Sequence, residues 1–267
     1  SIQTNTKKAN TTTRPRRILN SMFITPPPDV SVAVSIMWLP EDNQRSEFAR
    51  NQYEKLQNDP HIDYVELIDA VPDGSIYDTF VKAQEWAVTT DATHHVSIQD
   101  DVRTCTNFGE AAVNALQAVP NRIVSFFTTY HQQSTEFEKR NQWFRSTGKI
   151  WGQSIVIPTE FIPEMLDWWD EWIPEDYGSS DSVVWCWNDL EGPGDIWFTV
   201  PSLVQHCERE VGGSSVGHNP PCQRRAEEYI DNYSLDAGDI DWSFNFSEVR
   251  RVEQDVREDV LSIIDLE

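Results

Sequence analysis

Two adjacent carboxylates, Asp100 and Asp101, follow Gln99 at the end of the apolar run His95-Val96-Ser97-Ile98. Neighbouring acids where a strand emerges into a loop suit a hard divalent cation, which takes their oxygens and keeps sites for those of a substrate diphosphate. In a chain holding 44 Asp and Glu, the same two residues are also simply loop acids unless their surroundings say otherwise. Cysteine chemistry is not indicated. Cys105, Cys186, Cys207 and Cys222 form neither a CxxC pair nor a dense framework, so free buried thiols are expected rather than a zinc ribbon or a disulfide scaffold.

The elements that must carry the acid pair alternate in texture. Val32 to Trp38 is a short apolar run that suits a strand buried on both faces. A helix is expected over Arg45 to Gln57, with Phe48, Tyr53 and Leu56 on its apolar side and Asp59-Pro60 ending it. Tyr64 to Ile68 reads as a second strand, and Ser75 caps a helix in which Ile76, Phe80, Ala83 and Ala87 share a face. The third strand is the one that ends in the acid pair. Further on, a helix over Ala111 to Ala118, strands at Ile123 to Phe127 and Ile155 to Ile157, and a helix over Phe161 to Trp172 continue the pattern. Such alternation argues for right-handed crossovers and a doubly wound, mostly parallel α/β sheet with helices on both faces. Ligands of such a sheet sit beyond the carboxyl ends of its strands. Five of the eleven tryptophans fall between Trp168 and Trp187, as core or as a platform for a sugar ring, with core the expectation for most.

The 267 residues allow one large domain, and composition does not break sharply between residues 31 and 220. A formal charge of -23 speaks against a sequence-independent grip on nucleic acid or on anionic lipid. Only six of the cations are lysines, a balance suited to concentrated salt, where screening shortens the Debye length to about 3 Å at 1 M; a halophilic source fits that pattern, and so does an ordinary acidic protein. No apolar run reaches membrane-spanning length and the first twenty residues lack the apolar stretch of a secretory signal, so a cytoplasmic location without a membrane span is expected. Residues 1–28 read as a basic arm ending in Pro26-Pro27-Pro28. Residues 226–267, with thirteen acids against three arginines, read as an acidic solvated tail or peripheral helix.

The order of apolar strand, helix, strand, helix, then a strand ending in Gln99-Asp100-Asp101 resembles the nucleotide-sugar half of GT-A fold glycosyltransferases, whose DxD-type motif binds the metal and the donor diphosphate. Three later stretches strengthen the likeness. Thr199-Val200-Pro201-Ser202-Leu203-Val204-Gln205-His206 followed by Gly212-Gly213-Ser214-Ser215 is similar to the segment that closes the catalytic core in several such families. Trp151 to Pro158 resembles the strand that shapes the acceptor side, and Tyr177-Gly178-Ser179-Ser180-Asp181-Ser182 lies where the family usually places an acid at a helix start. The resemblance spans roughly residues 31 to 218 and implies a GT-A-like, Rossmann-like catalytic domain over 29–225. Its implications for the site follow residue by residue. Asp101 and His206 become the metal ligands, with Asp100 on ribose or a metal-bound water, and Trp38 and Asp69 lie where the donor base and ribose are held. The cofactor is Mn2+ or Mg2+, an imidazole ligand favouring Mn2+. The donor is a UDP- or GDP-linked sugar and the acceptor a glycan, protein or lipid-linked group. For an inverting transfer, Asp181 is the candidate base for the acceptor hydroxyl. It also complements a helix dipole, and a retaining enzyme needs no such base.

Three other readings share the scaffold. A nucleotidyltransferase would carry a Gly-rich, basic loop after the first strand, where Trp38-Leu39-Pro40-Glu41-Asp42 stands instead. A non-catalytic structural or carbohydrate-binding protein is the other main alternative, since fold does not guarantee function. Hydrolysis would need Asp101 and Asp181 to face each other across a substrate, and no spacing in the sequence sets that distance.

Overall fold

The structure is a computed structural model and describes residues 29–40, 43–72, 74–173, 179–208, 210–211 and 225–253. The arm at 1–28, Tyr177-Gly178, the Gly212-Ser215 stretch, Cys222 and the chain after Glu253 lie outside the described residues.

Strand β1 (Val32–Trp38) is buried over its first six residues, as an unbroken apolar run requires. Parallel neighbours flank it: β2 (Tyr64–Asp69) on one side and β3 (His94–Gln99) on the other. The crossovers are α1 (Asn43–Gln57) and α2 (Ile76–Val88). Ser75 caps α2 through a reciprocal box with Asp78, and Phe80, Ala83 and Ala87 face inward from that helix. A short ribbon then forms from β4 (Val102–Thr104), which pairs antiparallel with the much later β9 (Val204–His206).

Next along the chain come α3 (Phe108–Ala118), β5 (Val124–Ser125), α4 (Gln132–Glu138), β6 (Trp143–Ser146), β7 (Ser154–Pro158), α5 (Ile162–Trp172), α6 (Ser180–Leu190), β8 (Ile196–Thr199) and β10 (Arg250–Val252). Among the described residues the main sheet has eight strands in the order β10-β6-β8-β5-β7-β3-β1-β2. Four of its seven pairings are parallel; β7 runs antiparallel to both its neighbours, and β6 antiparallel to β8. The result is an α/β fold with helices on both faces. Val32, Val34 and Ile36 pack with α1 and α3 on one face. Met37, Ile155 and Ile157 pack with α2, α5 and α6 on the other. Trp168, Trp169, Trp185 and Trp187 are buried in that second layer, so core is their role, whereas Trp172 is 48% exposed.

Over its described residues, the stretch from 226 onward is no solvated tail or peripheral helix. Tyr229, Ile230, Ala237, Trp242 and Val249 are buried in the first layer, the Trp143 indole donates to the carbonyl of Trp242, and β10 closes the sheet beside β6. The apolar residues there follow neither helical nor strand period, so the acids dominate the sequence pattern while the tryptophan and isoleucine anchor the segment.

Candidate active site

Parallel pairing aligns the carboxyl ends of β2, β1 and β3, and the residues after those ends converge. Trp38 is the register partner of Asp69, and its indole N–H donates to Asp69 Oδ1 at 2.7 Å, with the Arg50 guanidinium 5.2 Å above the ring. The next backbone N–H, that of Leu39, donates to Asp100 Oδ2 at 3.3 Å and so ties the end of β1 to the acid pair.

Asp100 and Asp101 form the turn between β3 and β4 and are 8% and 4% exposed. Their neighbour is set by the ribbon. Val102 is the register partner of His206, and the Cys207 N–H donates to the Asp101 carbonyl at 2.7 Å, which delivers His206 across 105 residues to within 3.1 Å of Asp101 Oδ2. The two residues assigned to a metal from the sequence therefore meet in the fold. His206 Nε2 is turned onto the carboxylate itself.

Arg45 joins this centre from α1. Helix α1 buries a stripe of Arg45, Ala49, Gln52 and Leu56 against the sheet, and Arg45 is 3% exposed. Its Nη1 lies 2.6 Å from Asp100 Oδ1 and 3.0 Å from Asp101 Oδ2, bridging the pair. The signal was present in the sequence: the spacing 45-49-52-56 is helical, but a charged residue at its head reads as a solvated one. A guanidinium stays charged when buried, and the two carboxylates offset the cost of taking that charge out of water. Burial alone would lower the pKa of Arg45, yet Asp101 and Asp100 hold it above the ordinary value.

The two acids diverge in consequence. Burial, which the Arg45 contact only partly offsets, raises the pKa of Asp100, with repulsion from Asp101 adding to the rise. For Asp101 burial also acts upward, but the His206 and Arg45 contacts outweigh it and the carboxyl sits below the usual range. Both oxygens of Asp100 have protein partners, in Arg45 and the Leu39 N–H. On Asp101, Oδ2 is shared by Arg45 and His206 while Oδ1 is buried with no hydrogen-bond partner among the described residues.

Asp181 stands in the first turn of α6, where its Oδ1 accepts from Ser179 Oγ at 2.5 Å and from the Ser182 N–H at 3.0 Å. The side chain thereby complements the helix end. Its other oxygen looks toward Gly152: a Cβ built on that glycine would stand 3.9 Å from Asp181 Oδ2 and 3.2 Å from Gln99 Nε2. Gly152 thus brings Asp181 to the residue preceding the acid pair. The Trp151 indole N–H beside it is buried without a partner among the described residues.

A divalent cation fits this donor set in a limited way. An anionic buried oxygen with no partner among the described residues, Asp101 Oδ1, is what a hard cation would take. Among the described residues no group of three or more His, Cys, Asp and Glu is arranged to hold a metal. Most of the coordination would therefore come from substrate oxygens and water.

The fold and site define an α/β protein whose acidic centre lies at the carboxyl ends of adjacent parallel strands. Comparison with solved structures finds GalNAc-T7, crystallised with UDP, GalNAc and Mn2+, at a TM-score of 0.44 and 12% identity over 66% of this chain and 43% of that one. The alignment thus spans less than half of GalNAc-T7. A glycosyltransferase involved in glycosylation of the major capsid of PBCV-1 aligns at a TM-score of 0.37 and 8% identity, over 64% of this chain and 82% of that one. No protein-family model and no curated protein matches the sequence.

Proposed function

We propose that the protein is a glycosyltransferase that uses a divalent cation and a nucleoside-diphosphate sugar. The observation that carries this reading is the buried Oδ1 of Asp101 at the carboxyl end of β3, without a hydrogen-bond partner among the described residues, in the motif whose order along the chain resembles the GT-A families. Asp101 would hold Mn2+ or Mg2+, with His206 fixing the carboxylate or turning to share the ion. The ion would neutralise the charge that develops on the departing diphosphate. Trp38 and Asp69, already hydrogen-bonded to each other, offer an indole face and a carboxylate to the base and ribose. Asp100, whose oxygens are engaged by Arg45 and Leu39, serves the ribose or a metal-bound water only through what those contacts leave open.

Asp181 is the proposed base. Its Oδ1 is held by Ser179 and Ser182, so the Oδ2 side, toward Gly152, is the one that would accept the acceptor hydroxyl's proton. Donor, cation and acceptor together would bring the reacting atoms to that side. The test is consumption of UDP- and GDP-sugars in Mn2+ or Mg2+, followed as release of the nucleoside diphosphate. Release by the wild type that Asp181→Ala reduces at least a hundredfold, with donor binding retained, supports the assignment; an unaffected rate removes Asp181 from catalysis.

One observation favours a non-catalytic binding protein instead. Arg45 bridges both acids and His206 contacts Asp101, so the buried acid pair already has partners within the protein. Under that reading neither cation nor nucleotide stabilises the fold.

A further inference from the structure

We propose that Arg45 is a positioning residue of this centre, selecting which oxygen of Asp101 is left for a cation and a nucleoside diphosphate; the inference rests on the glycosyltransferase reading above. Three observations carry it. First, one atom, Arg45 Nη1, reaches both acids, so the guanidinium sets their mutual orientation as well as their charge balance. Second, Asp101 Oδ2 receives both Arg45 and His206, leaving Oδ1 as the oxygen without a partner among the described residues. Third, the arginine occupies the inner stripe of α1, where Ala49 and Leu56 do the packing.

Without that contact the like charges of Asp100 and Asp101 repel, and the Asp101 side chain is free to rotate. Either oxygen could then turn to His206, and the cation would meet a carboxylate in several orientations rather than one. A planar guanidinium suits this role better than an ammonium, because its donors lie in a fixed fork while Lys is a point charge on a flexible stem. The role is one of placement: Arg45 acts on the ion through Asp101 and makes no contact with a substrate atom in this scheme.

The test is Mn2+ binding by the full chain, read from the EPR signal of free Mn2+, with no nucleotide, with UDP and with GDP. The variants are Arg45→Met and Arg45→Lys, and thermal unfolding is followed in parallel. The wild type is expected to bind Mn2+ far more tightly with one of the diphosphates than without. Arg45→Met should weaken that nucleotide-dependent binding at least tenfold, and Arg45→Lys should fall between the two. A merely structural arginine would lower the melting temperature while leaving the nucleotide-dependent gain unchanged in the folded protein. If Arg45→Met does not fold, Arg45→Lys decides alone: at least threefold weaker binding supports the role and wild-type binding overturns it. Tighter Mn2+ binding in either variant also overturns it, since Arg45 would then compete with the ion. A wild type that binds no Mn2+ with either nucleotide overturns the glycosyltransferase reading and the role of Arg45 with it. Wild-type binding that both variants reproduce overturns Arg45 alone.

Discussion

Replacing Asp101 by Asn changes one atom and one charge, and the surrounding donors dictate how the amide sits. Arg45 Nη1 at 3.0 Å and His206 Nε2 at 3.1 Å both face Oδ2, so the amide oxygen takes that place and the NH2 group falls where Oδ1 stood. An acceptor for a cation has then become a donor. Hydrogen bonds to ionised groups contribute about 1.5–3 kcal/mol and are about twice as strong as neutral ones. Losing the charge of one partner should therefore cost the fold about 1–2 kcal/mol, or a fall in Tm of roughly 2–8 °C at this chain length. Binding suffers more. Removing one member of a buried charged contact costs about 2–5 kcal/mol, which is about 30-fold to several thousandfold in affinity for the ion and diphosphate together. Isothermal titration of UDP or GDP in saturating Mn2+ measures it. A cooperatively folded Asp101→Asn protein whose affinity stays within threefold of wild type would refute both the placement of the cation on Oδ1 and the reasoning from the orphaned oxygen.

Two further outcomes follow from the same structure. His95 is buried between Ser35 Oγ at 2.8 Å and Gln84 Oε1 at 3.0 Å, and burial pushes it from 6.5 down to about 3. Its folded pKa is depressed, so the unfolded chain binds the extra proton: stability is full above pH 6.5 and falls as pH drops, by at most about 1.4 kcal/mol per pH unit for each such group. Burial lowers His94 in the same sense, so melts between pH 6.5 and 5 should show a slope that His95→Gln reduces by about half; an unchanged slope would be inconsistent with His95 as its source. Trp242→Ala should cost about 3–5 kcal/mol in urea unfolding, as for a core aromatic, and a cost under 1 kcal/mol would return residues 226–253 to the status of a tail.

Most of the scaffold around the site was legible because its signals are local. The apolar run of β1, the cap at Ser75 and the acid pair after β3 each announce themselves within a few residues. What stayed hidden depends on distant partners. The β4 and β9 strands are three residues each, too short to carry a period, and the pairing of Val102 with His206 that brings His206 to Asp101 exists only once the chain has closed over about a hundred residues. The place of His206 was legible only through family resemblance. From the sequence Arg45 reads as an exposed helix charge, which seldom does anything specific, whereas the buried stripe of α1 runs through Arg45 and Gln52 rather than through Phe48. The reversed direction of β7 is invisible too: Ser154 to Pro158 is buried throughout, and an apolar strand buried on both faces reads alike in either direction.

The most direct measurement is thermal unfolding of the wild type, in dilute and in concentrated salt, with Mn2+ alone, UDP or GDP alone, and each pair. Because the protein supplies one carboxylate oxygen that has no partner among the described residues, the pair should stabilise where neither member does. At a hundredfold excess over Kd the gain is about 2.7 kcal/mol, a rise of roughly 5–10 °C. A non-additive rise with one pair is the expected result; a cooperatively folding protein whose Tm no combination moves would contradict a nucleotide-sugar site at Asp101.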